Sequence, residues 1–487
     1  MITTANLGNT AELFRLYPHY LPAQYRSISK ESERTAKKPP GGVPLAFDAE
    51  RGAVAVDDTD QNTICYGATG SLKTRTIVMP TVKMLAHAGE SMIISDPKAE
   101  IFTYLAQDLN ALGYNIVVIN LRDPAVGNSW NPLFIPYKYL IEGNIDKATE
   151  CINDISSTLC LSERDTNDPY WDYSAADVLF GLIYLLYRYC QDHGIKEEAV
   201  NISNLLKLQR KLFDKNTLSK NDPLWHYASE DELISAKLSG TINAASDTMR
   251  STLAVLSQKL SSFTIQPTLL DMLANNDIDI GDIGRKKTAV FLITPDEKTS
   301  FHRLVALFIK QSYEHIIYTA SQNETNRVER RINYILDEFS SLPAISDFPA
   351  MISAARSRDI RFLLVVQSKS QLVKRYREEA ETIIANCMNW VFLTSRELQL
   401  LREISELCGQ QKNGKPNIKS LQIFVKGLQQ NNYFLPKKNS KMRQFFERRY
   451  DITIGQGFEQ ARLDRLKDEY MVTFQNYNME SATRKQP

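Results

Sequence analysis

In the stretch Asn62-Thr-Ile-Cys-Tyr-Gly-Ala-Thr-Gly-Ser-Leu-Lys-Thr74, four residues have the types and spacing that hold a phosphate chain: Gly67, Gly70, Lys73 and Thr74. Such a chain needs inward-facing backbone N–H groups, a helix N-terminus aimed at it, a lysine for the β/γ oxygens and a hydroxyl for Mg²⁺. Gly67, Ala68, Thr69, Gly70, Ser71, Leu72, Lys73 and Thr74 are therefore the candidate nucleotide-binding loop, with an ordinary glycine-containing strand-to-helix turn as the plain alternative. Leu72 stands where G-x-x-x-x-G-K-[ST] has glycine. Phosphoryl chemistry also needs an acidic strand end, which Ile332-Asn-Tyr-Ile-Leu-Asp-Glu338 supplies. Asp337 is assigned to Mg²⁺ with Thr74, and Glu338 to the attacking water. Gln367, at the end of the next apolar run, is a candidate sensor of the γ-phosphate. Arg356, between the two runs, is a candidate arginine finger for an adjacent subunit, with Arg358 beside it.

Positioning these residues requires a parallel sheet. Thr63 to Tyr66, Ser91 to Ser95, Asn115 to Asn120, Thr288 to Thr294, Ile332 to Leu336, Phe362 to Val366 and Trp390 to Leu393 are short continuous apolar runs, the pattern of strands buried on both faces. Helical stretches alternate with them, including one from Thr74 to His87 that Pro80 should kink and one from Ser300 to Ser321. The fold class is α/β with a mostly parallel sheet. The spacing predicts that the loop and the Asp337–Glu338 pair meet across adjoining strands. Between about Asp165 and Ile280 the strand signal disappears and helical spacing takes over, as in an all-α insertion. Further β-type runs, Leu45 to Phe47 and Ala53 to Val56, precede the loop.

A length of 487 residues allows two or three domains. A formal net charge of +1 announces no nucleic-acid partner globally, so any such site must be local. The local candidates are Lys369, Lys374, Arg375 and the segment 409–449, where lysines and arginines face the single acid Glu447. Six scattered cysteines without C-x-x-C, and histidines without H-E-x-x-H, give no readable zinc site and fit reduced thiols. Residues 1–20 lack the apolar core of a signal peptide. Val178 to Tyr187, the longest apolar run, is about half of the roughly 20 residues a membrane span needs.

Taken together these residues resemble the coupling ATPases of type IV secretion and bacterial conjugation, the TraG/VirD group. Gly67 to Thr74 resembles their Walker A loop, and Ser95-Asp-Pro-Lys-Ala-Glu100 their D-x-K-G-E segment with Ala99 for the usual glycine. Ser129-Trp-Asn-Pro-Leu133 is similar to their N-P-L element, and Leu336-Asp-Glu-Phe339 to their Walker B. Gln367-Ser-Lys-Ser-Gln-Leu372 is similar to their Q-S-x-S-Q-L, and Ile384-Ala-Asn-Cys387, with Ile383 before it, to their I-x-x-N-C. The likeness spans about residues 43–435.

The resemblance implies a RecA-like P-loop NTPase interrupted by the all-α domain, ATP and Mg²⁺ as cofactors, and a homo-hexamer with ATP at subunit interfaces, the isolated chain being compatible with a monomer. It places Arg356 as the finger acting in trans and Gln367 as the sensor. It implies sequence-independent contact with DNA, a relaxase or effector cargo, and type IV secretion channel components as partners. The family's N-terminal transmembrane hairpin has no counterpart, so the expected location is cytoplasmic and peripheral at the inner face of the cell membrane. The expected division is an arm at 1–45, a nucleotide-binding domain at 46–165 and 281–435, the all-α domain at 166–280, where cargo recognition is expected, and a tail at 436–487. Leu72 motivates a second reading, a docking adaptor that presents cargo without acting as a motor. A translocase or helicase unrelated to secretion fits the N-P-L and Q-S-x-S-Q-L segments less well.

Overall fold

The computed structural model describes residues 14–15, 17–20, 39–48, 53–161, 169–213, 228–264, 266–295 and 301–407. The basic segment 409–449 and the tail 436–487 therefore lie outside the described residues. Three short strands, β1 (His19–Tyr20), β2 (Val43–Asp48) and β3 (Ala53–Asp57), form an antiparallel sheet in the order β1-β3-β2. Seven more make the central sheet: β4 (Thr63–Gly67), β5 (Ser91–Ser95), β6 (Asn115–Asn120), β7 (Thr288–Ile293), β8 (Ile332–Leu336), β9 (Ile360–Val366) and β10 (Asn389–Thr394). Every pairing in it is parallel and the order is β10-β4-β9-β8-β5-β7-β6.

Alternation along each strand divides the core in two. Ile64, Tyr66, Tyr334, Leu336, Phe362 and Leu364 face one side and Cys65, Met92, Ile94, Ile335, Leu363 and Val365 the other. Both sides are covered, which is why the strands read as unbroken apolar runs. On the second face lie α1 (Met79–Ala88) and α2 (Glu100–Ala111), through Val82, Leu85, Ile101 and Leu105. The first face packs against α10 (His302–Ser321) and the helices between β6 and β7: α3 (Phe134–Ile141), α4 (Ile145–Cys160), α5 (Tyr170–Asp192), α6 (Ile202–Leu212), α7 (Glu232–Ile242), α8 (Ser246–Thr264) and α9 (Pro267–Ala274). Helix α5 is apolar on most faces because it is buried among the others. Among the described residues no helix is long and apolar enough to cross a membrane.

Two expectations change. Pro80 does not kink a helix interior: Thr74–Val78 form a π turn and Pro80 sits in the first turn of α1, where its missing N–H costs little. The wider turn leaves room for the ring. The strands carrying the loop and the acids are not adjoining, because β9 lies between β4 and β8.

The N-P-L element is a staple between sheet and helices. Trp130 Nε1 donates to Gln311 Oε1 of α10 (3.2 Å), Asn131 Nδ2 to the Val200 carbonyl (2.7 Å) and the Tyr187 hydroxyl of α5 to the Leu133 carbonyl (2.7 Å).

Candidate nucleotide site

Because all seven strands run the same way, their carboxyl ends form one edge, the usual place for a ligand on an open α/β sheet. The loop leaves β4 at Gly67, a position no side chain fits: a Cβ there would meet Ser71 Oγ and lie 2.7 Å from Lys73 Cγ. Gly70 and Leu72 both take positive φ, 79° and 63°, while Lys73 is right-handed. Left- and right-handed residues in succession turn consecutive N–H groups to one side, the concave nest that receives phosphates. Leucine thus keeps the backbone that glycine would adopt, its side chain packed on the core under α1.

Lys73 is buried, its ammonium on the carbonyls of Gly67 (2.5 Å) and Ala68 (3.3 Å). Burial lowers its pKa, and the nearby Asp337 carboxylate opposes that. The Ser71 hydroxyl is buried with no hydrogen-bond partner among the described residues. That orphaned group in a nest of N–H donors fits a ligand rich in acceptor oxygens.

Strand β8 brings the acids in. Thr74 Oγ1 donates to Asp337 Oδ2 at 2.7 Å, and the Glu338 N–H to Asp337 Oδ1 at 3.0 Å. Asp337 is buried, and desolvation raises its pKa against the Thr74 hydrogen bond. Two strand spacings, about 10 Å, separate β4 from β8, and the loop with its π turn bridges them. The intervening β9 delivers Gln367 between loop and acids, where its Oε1 accepts from Thr69 Oγ1 at 3.4 Å. Lys73, Thr74, Asp337, Glu338 and Gln367 thus share one edge.

Arg356 does not join them. It precedes β9, at the amino edge, 61% exposed and paired with Asp60 (2.8 Å). The Arg356 guanidinium holds the Asp60 carboxyl below its ordinary pKa. Arg358 donates to the Asn326 carbonyl at 3.0 Å. Lys369 is drawn onto Glu403 (2.7 Å), so it is no free cation for nucleic acid.

The residue-type argument gave no role to Asp96, Lys98 and Glu100. The Asp96 carboxylate caps α2, accepting from the N–H groups of Glu100 (2.9 Å) and Phe102 (2.8 Å). Burial pushes its pKa up to about 7 against backbone hydrogen bonds from Phe102 and Ile101. Glu100 pairs with Arg75 of the π turn (3.0 Å), tying this segment to the loop, and Lys98 Nζ lies 3.9 Å from Glu338 Oε1. An aspartate four residues before a glutamate at a helix start was the available signal.

No curated protein matches the chain. Among solved structures it is similar to the plasmid coupling protein TrwB in complex with the non-hydrolysable ATP analogue ADPNP, with 16% identity, a TM-score of 0.51 and coverage of 79% of this chain and 82% of that one. The same relative in complex with ADP and Mg²⁺ gives 16% identity, a TM-score of 0.50 and coverage of 79% and 82%. At that identity the likeness concerns the fold, a P-loop NTPase sheet with helices. The family model for type IV secretory system conjugative DNA transfer matches residues 20–415, a span that takes in the loop, both acids, Gln367 and the helices between β6 and β7. By that match this chain belongs to the type IV secretory system conjugative DNA transfer family.

Proposed function

We propose that this chain is the coupling ATPase of a conjugative DNA transfer system, hydrolysing Mg·ATP at the carboxyl edge of its sheet. One observation carries the reading: Thr74 meets Asp337 at 2.7 Å beneath a nest of loop amides, in a chain of this family. The loop amides, Ser71 and Lys73 would hold the phosphates, and Thr74 and Asp337 the magnesium. When bound, magnesium triphosphate supplies an activated terminal phosphoryl group. Glu338 orients the attacking water and accepts its proton, Gln367 senses the terminal phosphate, and Arg356 serves the site of a neighbouring subunit. The complexes of the similar TrwB with ADPNP and with ADP and Mg²⁺ support the choice of ligand.

In this reading the chain works as a homo-hexameric ring at the cytoplasmic face of the membrane. It follows DNA phosphates without reading bases, recruits a relaxase or effector, and delivers it to the secretion channel. Cargo recognition is assigned to the helices within 166–280, and the nucleotide-binding domain to 46–165 and 281–435.

The test is Mg·ATP turnover by the full chain at high protein concentration, with and without DNA. Lys73→Ala and Glu338→Gln should each lower turnover by about a hundredfold or more, and only the lysine variant should also lose nucleotide affinity. Turnover that survives both substitutions would refute the assignment. Absent wild-type turnover with cargo binding intact would favour the adaptor.

A further inference from the structure

The turn that follows Glu338 is held from an unexpected direction. Its next residues, Phe339–Ser341, form one 3₁₀ turn, and Ser341 Oγ donates back to the Glu338 carbonyl at 2.7 Å. The adjoining Ser340 hydroxyl, buried, donates to Gln371 Oε1 at 3.1 Å. Gln371 belongs to α12 (Lys369–Tyr376), which follows α11 (Phe348–Ala355) and starts two residues after Gln367. On the same helix Arg375 reaches the carbonyls of Ser340 (3.4 Å) and Ser341 (3.5 Å).

The start of α12 is itself braced. Glu397, beyond β10, accepts from the N–H groups of Lys369 and Ser370 at 2.9 Å each, and Ser368 caps the Gln371 N–H at 3.2 Å. Gln367 thus directly precedes the braced first turn of a helix whose Gln371 side chain accepts from the turn after Glu338. Hydrogen bonds run from Thr69 to Gln367 and from Ser340 to Gln371, and the Glu338 turn leads back through Asp337 to Thr74. The loop, the strand end and the acids form a closed circuit in which α12 meets the turn after Glu338 through side chain to side chain at Ser340–Gln371 and through Arg375 on the Ser340 and Ser341 carbonyls.

We infer, on the reading that the loop binds a nucleoside triphosphate, that Gln371 is a positioning residue: it couples the Gln367 end of β9 to the Glu338 turn, so that terminal-phosphate contact sets the carboxylate. The geometry asks for little motion, since misplacing a reacting group by about 1 Å costs on the order of a hundredfold in rate.

The experiment uses the full chain, its Gln371→Ala, Gln371→Glu and Ser340→Ala variants and the double alanine variant, with Mg·ATP and a non-hydrolysable ATP analogue. Gln371→Ala should lower kcat by about 10- to 100-fold with KM changed less than about threefold. Gln371→Glu, whose carboxylate still accepts the Ser340 hydroxyl, should restore most of kcat. The double variant should be no slower than the slower single one, because both remove the same bond. Independently of turnover, the analogue should slow amide hydrogen exchange across 339–341 in the wild type, and this protection should vanish in Gln371→Ala. Additive losses, or protection that persists without Gln371, would overturn the coupling while leaving the nucleotide site standing. A wild type that binds no analogue would overturn both.

Discussion

Leu72 and Ala99 each replace a glycine of the motifs this chain resembles, and both have left-handed backbones, with φ of 63° and 56°. That conformation costs an ordinary L-residue about 1–2 kcal/mol. Leu72 offsets part of it by packing on the second core face. Leu72→Ala removes the packing and keeps the strain, whereas Leu72→Gly removes both. The glycine variant should therefore be more stable than the alanine variant by about 1 kcal/mol in denaturant unfolding, the reverse of the roughly 0.5–1 kcal/mol penalty glycine carries within a helix. An alanine variant equal to or above the glycine one would show that residue 72 is not left-handed. The spacing of Gly67, Gly70, Lys73 and Thr74 made the loop legible, and Leu72 legible as a departure. Its backbone angle was not, because φ there is imposed by closure of the nest and by packing beneath it. The Gln371 contact was equally hidden: an exposed glutamine four residues beyond Gln367 has no pattern that names its partner.

Among elements, the strands were the readable part, since burial on both faces writes itself as a continuous apolar run. Their spatial order was not, because chain order does not say that β9 enters between β4 and β8; only the carboxyl-edge rule, which holds for either order, brought loop and acids together. The junction between α10 and α4 was hidden too. Lys310, 2% exposed inside α10, pairs with Asp154 of α4 (2.8 Å), Asp347 (2.8 Å) and Glu314 (3.8 Å). Acids outnumber the lysine, and Lys147 and Glu150 face the same cluster: burial and Asp154 push Glu314 up to about 7 from 4.5, against Lys310 and Lys147. The folded chain then holds a proton there that the unfolded chain has released, and stability falls as pH rises from about 4.5 to about 7. Glu314→Gln should flatten that fall, by at most about 1.4 kcal/mol per pH unit. Denaturant midpoints at pH 5, 6 and 7 for both proteins measure it. Parallel pH dependences would mean that Glu314 titrates as in the unfolded chain.

For the whole molecule the decisive feature is that the two candidate halves of the chemistry lie on opposite edges. Arg356 comes just before β9 and Gln367 just after it, so a seven-residue strand, about 20 Å long, separates them within one chain. This much followed from sequence order alone; what covers the amino edge did not, since the Arg356–Asp60, Arg331–Asp359 and Arg361–Glu90 pairs found there join residues far apart in the chain. An arginine there can serve phosphoryl transfer only if the amino edge of one copy meets the carboxyl edge of the next, a head-to-tail contact of the kind that closes into a ring. The proposed ring predicts complementation. Lys73→Ala and Arg356→Ala proteins should each turn over ATP at least about a hundredfold more slowly than wild type. An equal mixture, assembled at random, should recover about a quarter of wild-type turnover, because one interface in about four joins an intact loop from an Arg356→Ala subunit to an intact arginine from a Lys73→Ala subunit. Recovery should grow with total protein concentration and disappear when either protein is replaced by the double variant. A mixture as inactive as its components would confine Arg356 to its pairing with Asp60 and leave the site to be completed by its own chain.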